Sequence, residues 1–206
     1  MVRLKRCRAL LVLAGTACAL GGCAVGPYAQ LDRAQLYLSE NRPIPAEPLI
    51  LEAMTEYERE NNQLGIGLAR QDYGILLLGP LPSTYSKYGF RDRTVTLDNH
   101  LAKGSEYLNL SLDNFRLAAE QDLAAGDYAK LYFPYFDAAI SYYHLKDRAH
   151  ACESMRKSMA AADENDRRSP HAKVSSHHRD KMDALLKEEG CAGDPVPVAG
   201  GSGPVP

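Results

Sequence analysis

Residues Ala139–Ser158 read AISYYHLKDRAHACESMRKS, and residues Ala34–Ala53 read AQLYLSENRPIPAEPLILEA. The two stretches share one spacing. Ala34, Tyr37, Ala46, Ile50 and Ala53 lie at offsets 0, 3, 12, 16 and 19, and so do Ala139, Tyr142, Ala151, Met155 and Ser158. Both place small residues first, third and last, an aromatic second and a large apolar residue fourth. Small side chains let two helices approach closely, and the large ones fill the groove to a neighbour. A third copy appears between them once an insertion is allowed. Gly74 and Leu77 keep the first interval, and Gly104, Leu108 and Ser111 keep the later ones, with about 18 extra residues in the turn.

The chain around these copies reads as helix throughout, without the alternation of a sheet. The expected helices are 29–39, 46–60, 64–78, 97–125, 128–145, 148–162 and a last amphipathic one at 172–189. Asn41–Pro45, Asn61-Asn62, Gly79–Ser83 and Gly126-Asp127 supply the breaks. Pro134 is expected to delay or kink its helix. The fold class is therefore all-α, with antiparallel hairpins stacked as about three units plus a C-terminal cap. Each hairpin buries its apolar face only against the next.

This spacing resembles the tetratricopeptide repeat over residues 29–163, with an insertion at 79–97 and a cap over 164–191. Lys146 and Asn41 depart from the resemblance, standing where the hairpin-turn glycine is expected, and the repeats are longer than thirty-four residues. In tetratricopeptide proteins the inner surface of the first helices holds an extended peptide or a partner helix. Helical offsets place Leu31, Gln35, Leu38, Gln71, Phe136, Ile140 and Tyr143 on that surface. With three repeats, the same positions serve equally well as core. The insertion is a second candidate, since Tyr88, Phe90 and Arg91 are residue types favoured at interfaces. The competing reading folds Tyr88 and Phe90 back onto the helices.

The N-terminus carries a different signal. Arg3, Lys5, Arg6 and Arg8 precede an apolar run, Ala9–Leu20, that closes on Leu20-Gly21-Gly22-Cys23. About a dozen apolar residues are too few to span a bilayer, which takes roughly 20. A Leu, two small residues and a Cys resemble the lipobox of bacterial lipoproteins. The resemblance implies a signal peptide at 1–22, lipidation of Cys23 and a linker to residue 28. Ala24 after the cysteine implies sorting to the outer membrane, with the body facing the periplasm.

Four of the 24 basic residues and none of the 26 acidic ones lie in that signal, leaving 20 against 26 and a net charge of −6. Nucleic acid and anionic lipid are thereby disfavoured as partners. Cys7 and Cys18 leave with the signal, so Cys152 and Cys191 remain. In an oxidising compartment they form a disulfide, or they stand as two separate thiols with Cys152 buried. The Pro/Gly/Val/Ser segment 192–206 is expected to be disordered.

No phosphate-binding loop, nucleophile elbow or paired-cysteine zinc site is written in the chain. Gly65-Ile66-Gly67 lacks the third glycine of a dinucleotide fingerprint, Arg70 standing in its place. His177 and His178 diverge by about 100 degrees on a helix and make a poor chelating pair. We therefore expect no enzyme, no cofactor and no metal. The expected function is a membrane-anchored scaffold for a protein or peptide partner of the envelope, in secretion, pilus or envelope assembly. An obligate subunit of one complex is the alternative, and an envelope hydrolase is the weakest reading.

Overall fold

The computed structural model describes residues 26–81, 83–169, 171, 173–188 and 190–191. Cys23, the signal segment 1–22 and the segment 192–206 lie outside the described residues. Eight helices follow in order: α1 Pro27–Ser39, α2 Pro43–Arg59, α3 Gln63–Leu78, α4 Thr84–Tyr88, α5 His100–Ala125, α6 Tyr128–His144, α7 Arg148–Arg168 and α8 Ser176–Glu188. No strand occurs among the described residues. None of the described helices is long and apolar enough to cross a membrane. The fold is all-α. Helices α1 and α2, α3 and α5, and α6 and α7 pair as hairpins; α2 packs on α3, α5 on α6, and α8 on α7.

Four of the connecting turns share one geometry. In each, a left-handed residue stands at or just after the helix cap: Asn41, Asn61, Gly126 and Lys146, with φ of 58°, 53°, 68° and 63°. The next residue's N–H then reaches back five residues, from Arg42 to Tyr37 O, Asn62 to Tyr57 O, Asp127 to Asp122 O and Asp147 to Tyr142 O, at 2.8 to 3.0 Å. This is the Schellman arrangement, which satisfies the last carbonyls of a helix and turns the chain sharply. Asn41 and Lys146, which replace glycine in the sequence, thus hold the conformation glycine favours. A left-handed residue with a Cβ costs about 1–2 kcal/mol. Lys146→Gly is therefore expected to stabilise the fold by about 0.5–1 kcal/mol, after loss of the cation–π contact of Lys146 with Tyr143. A rise in thermal midpoint would show it.

The recurrent small residues sit where helices cross. Ala34, Ala46, Ala53, Ala139, Ala151 and Ser158 are all buried, as are Ile50 and Met155 at the large positions. At the α3–α5 crossing the two backbones themselves come close. A Cβ on Gly74 would stand 2.9 Å from the backbone oxygen of Gly104, and one on Gly104 would stand 3.1 Å from that of Gly74. Tyr57 and Phe115 lie against the α3 backbone at Gly65 and Gly67, leaving no room there for a side chain. The glycines of that incomplete fingerprint are packing positions.

Two apolar clusters result, one from α1–α3 with the insertion and one from α5–α8. Helices α5 and α7 run to 26 and 21 residues, which absorbs the long spacing. The expected delay at Pro134 does not occur, for α6 starts at Tyr128 and continues through it. The carbonyl deprived of a donor belongs to Lys130, an exposed residue. Pro48 in α2 stands opposite Ile44, also exposed. The insertion is not simply a loop, since Thr84–Tyr88 is helical and Val95 is buried.

Candidate functional site

Helices α1, α3 and α6 touch in sequence and form one side of the molecule. Gln35 on α1 donates its amide to both carboxylate oxygens of Asp72 on α3, at 3.2 and 3.1 Å. Gln71 on α3 donates to the backbone oxygen of Asp137 (2.6 Å) and to Ser141 Oγ (2.8 Å) on α6. Ser141 in turn meets Ser111 Oγ of α5 at 2.9 Å. These bonds form a polar seam, buried at Gln71, Ser141 and Ser111 and open to water at Gln35. Gln71, a candidate contact residue on sequence grounds, is corrected here. It is buried, and both amide N–H groups are spent tying α3 to α6. Gln35 is exposed but engaged with Asp72. Leu31 is core, and Leu38 is half-buried.

Two carboxyls in this seam are unusual. Burial pushes Asp72 up to about 7 against the pull of the Gln35 amide, with a small upward contribution from Asp32. Burial and then the charge of Asp72 push Asp137 up to about 8. Both groups ionise near 3.8 when solvated. The folded chain thus keeps protons on these two carboxyls that the unfolded chain loses, so their contribution to stability is full below about pH 4 and is lost as pH rises through about 8. We expect a loss of about 2 kcal/mol or more across that window, reduced in Asp72→Asn, which also relieves Asp137. Denaturant midpoints at the two ends of the window test it.

On the same side, α6, α7 and α8 enclose an apolar groove of about 430 Å³. Phe136, Ile140 and Tyr143 form its floor from α6, spaced by four and three residues so that all three share one face. Met155 of α7 and Leu185 and Leu186 of α8 form the walls, and Cys191 closes one end. The three α6 residues are only half-buried, so apolar area remains in contact with water. Burial and the nearby Lys146 charge hold the His144 imidazole below its ordinary value, so it is neutral at neutral pH. Lys181 is then the one charged group among the lining residues. Such a surface can bury an apolar segment at about 25 cal/mol per Å², the chemistry of helix or extended-peptide capture.

Two anchors position α8. Met182 is fully buried and accepts a contact from Ser158 Oγ at 3.8 Å, while Arg179 pairs with Asp163 (2.8 Å) and Asp166 (2.7 Å). Cys152 and Cys191 are bonded, with Cα atoms 5.6 Å apart, and Arg148 donates to Gly190 O at 2.7 Å.

The insertion offers less. Phe90 is corrected from contact residue to core: it is buried and stacks on Tyr85 at 4.4 Å. Arg91 N–H donates to the buried Glu47 carboxylate (2.7 Å), which also accepts from Tyr73 OH (3.3 Å). Asp92 fixes the following turn through Thr94 and Tyr107. The Tyr88 ring and the Arg91 side chain face outward. His178 donates to or accepts from Ser175 and lies beside Tyr132 and Phe133, and no group of three or more His, Cys, Asp or Glu suited to a metal occurs among the described residues.

Fold and groove together define the class: an all-α chain of serially packed helix hairpins with an apolar groove beneath its last helix. No protein-family model, curated protein or solved structure matches this chain. The α8 wall was missed on sequence grounds. The adjacent Leu185-Leu186 pair was the available signal, because two neighbours on a helix cannot both face α7.

Proposed function

We propose that this chain is a lipid-anchored docking scaffold of the bacterial envelope, holding a protein partner in the groove between α6, α7 and α8. The observation that carries the reading is the half-buried row Phe136, Ile140 and Tyr143 on the floor of an apolar groove. A core would cover these residues, and a solvated face would not select them. The lipobox-like Leu20–Cys23 and the tetratricopeptide-like spacing support the same reading from the sequence. Acyl chains at about 0.8 kcal/mol per buried methylene would keep the scaffold at a membrane surface.

Two substitutions test the two halves of this proposal. Cys23→Ser is expected to move the protein from the membrane pellet to the soluble fraction, and continued sedimentation would refute the anchor. Ile140→Asp places a charge on the groove floor with little effect on the core. It is expected to lower partner recovery from solubilised membranes at least tenfold while thermal stability changes little. Undiminished recovery would remove the groove as the docking site.

A further inference from the structure

The groove has its own chain at its mouth. Cys191 lines it and is bonded to Cys152 in the first turns of α7. Because α7 begins where α6 ends, Cys191 stands at the His144 end. The opposite end lies where α8 starts, with His178 ring centroids 5.9 Å from Tyr132 and 5.8 Å from Phe133. From Phe136 to His144, α6 rises about 12 Å. The sequence leaving Cys191 is Ala192-Gly193-Asp194-Pro195-Val196-Pro197-Val198. Extended backbone advances about 3.3 Å per residue, so the three residues from Cys191 to Asp194 can span about 10 Å and the five to Val196 about 16 Å, against the roughly 12 Å from His144 to Phe136.

Charge agrees with reach. Lys181 is the one charged lining residue, and Asp194 is the one charged side chain in 192–206. Beyond it, prolines alternate with valines, apolar residues with little conformational entropy to lose on binding. We propose that the segment Asp194–Val198 occupies this groove as an intramolecular ligand, Asp194 on Lys181 and Pro195-Val196 against Phe136 and Ile140, so that an external partner binds by displacing it. The proposal rests on the groove being a docking site and adds its regulation. A segment tethered by the disulfide acts at millimolar effective concentration, so a weak contact suffices for occupancy. Removing it raises a partner's apparent affinity by the reciprocal of the fraction of chains whose groove is empty.

Methyl NMR of Ile140, Leu185 and Leu186 tests this in the oxidised full chain and in a chain ending at Cys191. The two are expected to differ at these methyls. A synthetic peptide of residues 192–206, added at millimolar concentration, is expected to move the shortened chain's signals to the full-chain positions and to leave the full chain unchanged. In the full chain, Asp194→Lys is expected to shift the signals towards those of the shortened chain, and adding Lys181→Glu to restore them. Identical methyl positions in both chains, or no response to Asp194→Lys, would overturn the proposal. Shifts that grow with protein concentration would also overturn it, placing a second molecule's segment in the groove. The Ile140→Asp recovery experiment reads the docking function separately, so either proposal can fail alone.

Discussion

Gly74→Ala is expected to cost about 3 kcal/mol, a large share of the stability of a domain of this size. The added Cβ would lie 2.8 Å from Leu108 Cγ and 2.9 Å from the Gly104 carbonyl oxygen. Leu108 is fully buried and the carbonyl belongs to the facing backbone, so neither can swing aside. The α3–α5 pair must separate, and both apolar clusters lose contacts with it. Gly104→Ala is expected to cost less, about 1–2 kcal/mol. Its new Cβ meets Leu78, a half-buried side chain free to turn outward, and approaches the Gly74 oxygen at 3.1 Å. Denaturant midpoints in this order test the close-approach account. An equal or reversed order would show that the rigid contacts facing Gly74 do not set the cost.

Loss of the disulfide is the second large effect. Cys152 and Cys191 are 39 residues apart, and closing a loop of that length in the unfolded chain is worth about 4 kcal/mol in the chain-entropy model. Cys152→Ala with Cys191→Ala is therefore expected to destabilise the C-terminal half by as much as that. The loss should be local before it is global. Helix α8 is otherwise held by Met182, Val174 and the Arg179 ion pairs, the last of these at the surface. In the double variant, amides of α8 are expected to exchange at least tenfold faster, with α1–α3 unchanged. Partner binding should weaken in parallel, because Leu185 and Leu186 form a groove wall. Unchanged α8 protection would mean that side-chain packing alone fixes the cap.

Much of the fold was legible because its determinants are local. The Ala/Tyr/Ala spacing, the Gly74–Gly104 pair and the turn residues each act within one hairpin, and the small residues of the first two lie buried at helix crossings. Lys146 and Asn41 looked like departures because composition does not report that a polar residue will accept a left-handed backbone. Pro134 pointed to a delayed helix because the local sequence does not show that its ring will be buried inside a continuing helix.

The site was legible only in part. Phe136, Ile140 and Tyr143 emerged from helical spacing and do line one groove. Gln71 shared that spacing but is buried and bonded to α6. Tyr88 and Phe90 are two residues apart with opposite fates, decided by the Tyr85 ring and the buried Glu47 carboxylate beneath them. Such contacts come from distant parts of the chain, and no spacing rule encodes them.

The docking claim is tested most directly by photo-cross-linking in cells, with a photoreactive residue at Ile140 and, as a control, at the exposed Glu153 on the outer face of α7. The scaffold account predicts one discrete intermolecular adduct from position 140 in the membrane fraction and none from position 153. No intermolecular adduct from 140, or the same adducts from both positions, would contradict it.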